Sequence, residues 1–258
     1  MSRKSSDSLK VAIFIIAYEA VKTLIKAYER IPDSIKKEAE EIYVFDDAST
    51  DNTYLAGVGY KYLHKVKKLN LYRNNKNLGY GGNQKKGYQY AIDKGYDVVV
   101  MLHGDAQYAP EKLPRLLAPF KKRDQKLGLV FGSRMLGKPL YGGMPLYKFF
   151  GNKFLTFTEN RLLGTSFSEF HSGYRAYNCH VLKQLPFHKL SDDFHFDTEI
   201  IIQLINKGFS VKEVPIPTFY GSEKSHVNVF KYGINCLKAV IDYRLAKIGL
   251  RPGKKYNF

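Results

Sequence analysis

Cysteine is scarce in this chain of 258 residues. Cys179 and Cys236 are the whole complement, far apart and in no Cys-x-x-Cys arrangement, which argues against a disulfide framework and a thiolate zinc site and favours a reducing compartment. The seven histidines are scattered, with no pair at the helical spacing of a zinc-binding motif. Acidic residues are in deficit: 24 Asp+Glu stand against 41 Lys+Arg, a formal charge of +17. The partners expected are therefore anionic, whether nucleotide phosphates, anionic lipid head groups or nucleic acid, and charge alone does not choose among them. No uncharged apolar run approaches the roughly 18–20 residues of a membrane span. The polar start MSRKSSDSLK lacks the apolar region of a signal peptide, so the expected location is cytoplasmic.

What is present is an ordinary globular composition, 44% hydrophobic, with length enough for a large core. Strand and helix signals alternate through the first half. Residues 11–17, 42–45, 98–102 and 127–131 are short apolar runs, and 20–30, 83–94 and 110–123 read as helices between them. The second half adds expected helices at 146–163 and 196–206, strands at 174–177 and 209–216, and a polar connection over 164–172 carrying Glu169 and His171. Such alternation predicts an α/β fold with a Rossmann-like, mostly parallel sheet and helices on both faces. Ligands in such sheets bind beyond the carboxyl ends of the strands.

Four of these strand ends carry polar groups: Tyr18-Glu19, Asp46-Asp47, Asp105 with Gln107, and Gly132-Ser133-Arg134. Each taken singly is also ordinary helix-capping or turn chemistry; four on one edge suggest a site. A carboxylate and an amide oxygen after the buried run 98–102 are hard oxygen ligands suited to Mg²⁺ or Mn²⁺ carrying a diphosphate. Asp47, Ser49 and Asp51 imitate calcium-loop spacing, but Asn52 replaces the required glycine and Val58 the closing acid. A carboxylate there can instead accept hydrogen bonds from a nucleobase or ribose. The glycine-rich segment 77–87 matches neither a phosphate loop nor a dinucleotide fingerprint, because Gln84 stands where the third glycine is needed, and is expected to be a generic nucleotide-facing loop.

In residues 229–248 apolar side chains recur at Phe230, Ile234, Leu237, Ile241, Leu245 and Ile248 with Lys231, Lys238, Arg244 and Lys247 between them. This amphipathic basic helix either packs on the core or docks on an anionic membrane. The expected organisation is a catalytic domain over 1–228 and a basic helix and tail over 229–258.

Taken in order, these segments resemble the family 2 glycosyltransferases of the GT-A fold, nearest to the branch of dolichyl-phosphate mannose synthase and bacterial polyprenyl-phosphate sugar synthases. The likeness rests on Ala17-Tyr18-Glu19, on Asp46-Asp47-Ala48-Ser49-Thr50-Asp51-Asn52-Thr53, on Asn77-x-Gly79 with Gly87, on His103-Gly104-Asp105-Ala106-Gln107, on Gly132-Ser133-Arg134 and on Ser172-Gly173-Tyr174-Arg175, and covers roughly residues 10 to 225. It implies a metal-dependent inverting transfer from a nucleoside diphosphate sugar. Asp46 and Asp47 would hold base and ribose with Ala17, Tyr18 and Glu19; Asn77, Gly79, Lys85 and Arg175 would join the nucleotide-sugar site. Asp105 and Gln107 would bind Mg²⁺ or Mn²⁺, and Arg134 would sit near the phosphates or the sugar. The ion offsets charge on the departing diphosphate.

Two departures stand out. His103 occupies the position of the first Asp of the usual metal motif and is either a third ligand or a bystander. Glu169 stands where many relatives have Asp, and is the first choice for a carboxylate near the acceptor, with Asp197 and Glu199 as the competing pair. A lipid-phosphate acceptor needs no strong base; a hydroxyl acceptor needs one. Lys224 and His226 are expected to close over the diphosphate, although Tyr220 replaces the Arg common in polyprenyl-phosphate enzymes. The favoured acceptor is a polyprenyl phosphate at the cytoplasmic membrane face, reached peripherally. A saccharide or protein hydroxyl acceptor and a catalytically silent sugar-nucleotide-binding module remain the alternatives. Nucleic acid is not expected as a partner, because no recognised motif accompanies the charge.

Overall fold

Seven consecutive apolar residues, VAIFIIA, make Val11–Ala17 (β1) a strand buried on both faces. The computed structural model describes residues 8–218, 228–253, 255 and 256. In it, Ala12, Phe14 and Ile16 of β1 join one core cluster, and Val11, Ile13 and Ile15 join the other. Successive side chains of a strand point to opposite faces, so an unbroken apolar run requires cover on both sides. Glu41–Asp46 (β2) divides in the same way, with Tyr43 and Phe45 opposite Ile42 and Val44. In Val98–His103 (β4), Val99 and Met101 oppose Val98, Val100 and Leu102.

The remaining strands are Leu69–Arg73 (β3), Leu127–Ser133 (β5), Arg175–Asn178 (β6) and Ser210–Pro215 (β7). Their order across the sheet is β3-β2-β1-β4-β6-β5-β7. Only β6 is reversed, pairing antiparallel with β4 and β5, while the other pairings are parallel. The carboxyl ends of β1, β2, β4 and β5 consequently share one edge. Register aligns their chemistry: Asp46 lies beside Ala17, and His103 beside Ile16.

Helices Leu24–Glu29 (α1), Asp33–Glu38 (α2), Thr53–Leu63 (α3) and Leu113–Leu117 (α5) pack over the face bearing Ile13. Tyr80–Asp93 (α4), Leu146–Leu163 (α6), Cys179–Leu182 (α7), Phe196–Asn206 (α8) and Val229–Lys247 (α9) belong to the side bearing Phe14. On that side Gly87 is required: a Cβ there would lie 2.3 Å from Cε1 of Phe14.

Several boundaries differ from those expected. The helix anticipated over 20–30 begins only at Leu24, because the backbone of Ala20 and Val21 donates to Thr53 and Asp51. The single helix anticipated over 110–123 is divided into α5 and flanking 3-10 turns, since Pro114 and Pro119 lack amide protons. The helix α2 and the strand β3 were not anticipated; β3 is a half-buried edge strand without the apolar run that marked its neighbours. The helix α9 buries Ala239, Val240 and Tyr243 in the main core and Cys236 beside it, while Phe230, Ile234 and Ile241 face outwards. The core-packing reading therefore holds for one face of the helix, and the other face is exposed. Among the described residues no helix is long and apolar enough to cross a membrane.

Candidate active site

The loops after β1 and β2 are built as one unit. Glu19 N donates to Ser49 Oγ at 2.9 Å, and Glu19 Oε1 accepts from Thr50 N at 2.9 Å and Thr50 Oγ1 at 2.7 Å. Asp46 is enclosed, accepting from Ser49 and lying 3.5 Å from Arg73 Nε, so both its oxygens are engaged internally. Burial pushes its carboxyl upward, against the opposing pull of Ser49 and Arg73. Asp47 accepts from Asn74 Nδ2 at 2.8 Å and Leu78 N at 2.9 Å through Oδ1, while Oδ2 takes no partner among the described residues. Of the acidic pair, Asp47 is the one with an oxygen left for a ligand. Ala17 is buried at the strand end and Tyr18 is exposed beside it.

Glu19, Ala48 and Ala106 all have left-handed φ, between 51° and 59°, and each follows a different strand at this edge. Side-chain-bearing residues adopt that region at a cost, and such residues concentrate where a site is shaped.

At the end of β4, Asp105 is 42% exposed, its Oδ1 accepting from Gln107 N at 3.0 Å and its Oδ2 lying 3.9 Å from His103 Nδ1. The ring of His103 is set from behind. Tyr80 Oη donates to Asp197 Oδ2 at 3.0 Å, so its oxygen is left to accept from His103 Nε2 at 3.2 Å. With the proton on Nε2, Nδ1 keeps its lone pair on the side of Asp105. Tyr108 flanks the same ring and accepts from Gly173 N at 2.7 Å. A carboxylate and an imidazole nitrogen 3.9 Å apart are donor types that suit Mn²⁺, and Asp105 is accessible to an ion.

Arg134 follows β5 and is clamped by Glu169. The carboxylate accepts from Arg134 N, from Nη2 at 2.7 Å and from Nε at 3.2 Å, and Asn152 Nδ2 adds a contact at 3.3 Å. Burial alone would raise the carboxyl of Glu169, but the Arg134 charge and hydrogen bonds outweigh it and hold it below its usual range. Glu169, expected beside an acceptor, is therefore fully enclosed and ionised and anchors Arg134.

Other expected site residues are likewise turned inward. The Arg175 guanidinium is wholly buried, donating to Ser172 O, Phe170 O and Asp197 O, and does not reach the open edge. Asp197 is spent on Tyr80, Gln84 and Arg175. Glu199 accepts from Ser191 N and pairs with Lys255 at 2.8 Å. Lys85 bonds Leu190 O and Asp192. All four are engaged within the fold, Arg175, Asp197 and Glu199 buried and Lys85 partly so, where unpaired charge is costly.

The glycine segment has the same explanation. Gly79 adopts φ 79°, and a Cβ on it would approach Asp192 O to 2.6 Å; one on Gly81 would approach Ser191 O to 2.4 Å. The glycines admit the backbone of 191–193, not only a ligand, and Asn77 Oδ1 supports the turn by accepting from Gly79 N. Lys224 and His226 lie outside the described residues. Tyr80, Gln84, Asn74 and Tyr108 are the positioning residues that the sequence reading missed. The one available signal was an aromatic set among glycines at Tyr80 and another directly after Gln107.

Residues 12–186 match the family model described as Glycosyl transferase family 2. The polyprenol monophosphomannose synthase of Mycolicibacterium smegmatis is 30% identical over 212 residues, covering 81% of this chain and 76% of that protein. The undecaprenyl-phosphate mannosyltransferase of Micrococcus luteus is 27% identical over 220 residues, covering 81% and 83%. The solved mannosyl-3-phosphoglycerate synthase from Rubrobacter xylanophilus superposes with a TM-score of 0.69 at 17% identity, covering 95% of this chain and 78% of that one. The glucosyl-3-phosphoglycerate synthase from Mycobacterium tuberculosis, solved with Mn²⁺, uridine-diphosphate-glucose and phosphoglyceric acid, gives 0.64 at 15% identity, covering 95% and 82%. These likenesses establish the GT-A architecture.

Proposed function

The chain belongs to glycosyl transferase family 2, and from that membership we propose that it transfers a sugar from a nucleoside diphosphate to a polyprenyl phosphate on a membrane face. It is a glycosyltransferase; the acceptor, the metal and the residue roles are our reading. In that reading Asp47 and Glu19 receive the nucleoside, with Tyr18 beside it. Asp105, with Nδ1 of His103 and the amide oxygen of Gln107, would hold Mn²⁺ or Mg²⁺. The bound ion offsets the charge that develops on the departing diphosphate. Arg134, aimed by Glu169, faces the same charge. The acceptor oxygen attacks the anomeric carbon as the bond to the diphosphate breaks, a single displacement that inverts the centre.

The observation that carries the choice of acceptor is the condition of the acids. Glu169, Asp197 and Glu199 are all enclosed and engaged, so none is poised to deprotonate a hydroxyl. A phosphate is already an oxyanion and requires no base. A surface for lipid supports the same reading. Leu146, Phe150, Phe154 and Phe157 on α6, and Phe230, Ile234, Ile241 and Ile248 along and just after α9, are exposed. Lys153, Lys231, Lys238 and Lys247 lie on the same helices. Leu155 packs at Gly233 where the two helices meet, next to outward-facing Phe154 and Ile234. These exposed apolar side chains and the lysines on the same helices support peripheral docking on an anionic leaflet.

The test offers labelled UDP-, GDP- and dTDP-sugars with Mn²⁺ or Mg²⁺ to the full chain and a detergent-solubilised polyprenyl phosphate. Label is expected to move to the organic phase, and Asp105→Ala to reduce that transfer about 100-fold or more. Transfer to saccharide or peptide hydroxyls but not to the lipid phosphate would refute the acceptor. An inactive wild type with every donor and ion would favour the silent binding module.

A further inference from the structure

Behind the candidate active site, three elements bring Glu159 of α6, His171 of the following loop and Cys236 of α9 together. Glu159 and Cys236 are fully buried and the His171 side chain is 6% exposed. One oxygen of Glu159, one ring nitrogen of His171 and the Cys236 sulfur all lie within 4.8 Å of one another. We propose that this cluster is a second metal site, structural in character and selective for Zn²⁺ or a similarly soft divalent ion, distinct from the hard-ion site at Asp105.

Four observations support it. Glu159 Oε2 and His171 Nε2 are buried and face each other at 3.2 Å as an ion pair, and neither has a geometric hydrogen bond to any other described residue. A buried pair whose atoms have no further partner leaves each of them able to turn to an ion. Two ligands bound at about 2.0–2.1 Å to one tetrahedral ion sit roughly 3.3 Å apart, the separation seen here within about 0.2 Å. The other ring nitrogen, Nδ1, is 2.9 Å from Tyr232 Oη, an outer partner that fixes the ring and leaves Nε2 for the cluster. Thr198 Oγ1 closes a further side, 3.3 Å from Glu159 Oε1 and 3.4 Å from Cys236 Sγ.

The donor chemistry selects the ion. Thiolate, imidazole and carboxylate together favour Zn²⁺ over Mg²⁺ or Mn²⁺. One thiolate and one carboxylate also neutralise a divalent charge, as a buried site requires. On binding, the thiol gives its proton to solvent, and so does the imidazole if protonated. Bound metal would pin α9 and the loop 164–174 to α6. Sequence spacing conceals the site, because its ligands fall at positions 159, 171 and 236 with no paired motif.

The test uses the full chain, stripped with a chelator and titrated with Co²⁺ as a spectroscopic probe. One equivalent is expected to give the visible bands of a four-coordinate ion and a sulfur-to-cobalt charge-transfer band, both lost when Zn²⁺ is added. Cys236→Ser should abolish the charge-transfer band and weaken Zn²⁺ binding by about 100-fold or more; Cys179→Ser and Asp105→Ala should retain both. Should Cys236→Ser fail to fold, Glu159→Gln supplies the second variant, and protection of one thiol from alkylation by Zn²⁺ is read on the wild type. A folded wild type with no sulfur-to-cobalt band overturns the proposal, and so does a band that follows Cys179.

Discussion

Replacing Glu169 by Gln separates an anchor for Arg134 from a catalytic base. The wild-type carboxylate is fully buried and collects Arg134 N, Nη2 at 2.7 Å, Nε at 3.2 Å and Asn152 Nδ2 at 3.3 Å. Glutamine keeps one acceptor oxygen and turns the other into an NH₂ facing these donors. At least one charge-assisted bond disappears, about 1.5–3 kcal/mol. Arg134 remains 18% exposed, so water recovers part of its solvation and the loss stays below the ~3–5 kcal/mol of a fully enclosed broken pair. The expected destabilisation is about 2–3 kcal/mol, read as a fall in Tm of about 4–10 °C for a chain of this size. The sign with pH follows from the depressed carboxyl of Glu169. A group lowered on folding stabilises above its unfolded value of 4.5 and loses that contribution as pH falls through the folded value. The gap between wild type and variant in urea midpoints should therefore hold steady from roughly pH 8 to pH 5 and close only in stronger acid. Activity should fall as Arg134 shifts, yet the pH–rate profile between roughly pH 6 and 9 should keep its limbs, because an acid this low does not titrate there. A variant as stable as wild type that loses one limb would refute this reasoning and return Glu169 to the role of base.

Tyr80→Phe removes the hydroxyl between His103 and Asp197; Mn²⁺ affinity, followed by paramagnetic relaxation, should fall about 10- to 100-fold. Gly81→Ala places a Cβ 2.4 Å from Ser191 O, so thermal unfolding should report a loss of about 1–3 kcal/mol, with the backbone of 191–193 displaced. Phe154→Glu with Ile234→Glu should abolish sedimentation with anionic vesicles, since each buried apolar side chain is worth about 1.5–3 kcal/mol. Its Tm should stay within a few degrees of wild type, as both side chains are exposed.

The parallel sheet was legible because β1, β2, β4 and β5 are unbroken apolar runs, and only strands covered on both faces read that way. The edge strand β3 was not, since its half-buried pattern resembles that of a loop. Likewise the polar groups after β4 were visible as a strand end, whereas nothing in the sequence showed that Arg175 and Glu199 are buried and that Lys85 bonds Leu190 O. Type and order of residues mark a ligand-binding edge, but which charged side chains turn inward depends on elements distant in the chain. Arg175 meets Asp197, and Glu199 meets Lys255, only when α8 is laid against the sheet and the C-terminal segment returns to it.

The fold class and the strand-end edge where polar groups gather were readable from the residues alone, because periodicity and strand-end chemistry are local. Tertiary structure alone decided that Glu169 anchors Arg134, that Tyr80 and Asp197 orient His103, and that Glu159, His171 and Cys236 meet. Those are contacts across tens of residues, and the tautomer of a ring or the ionisation of a buried acid is set by whichever groups folding brings within a few ångströms of it.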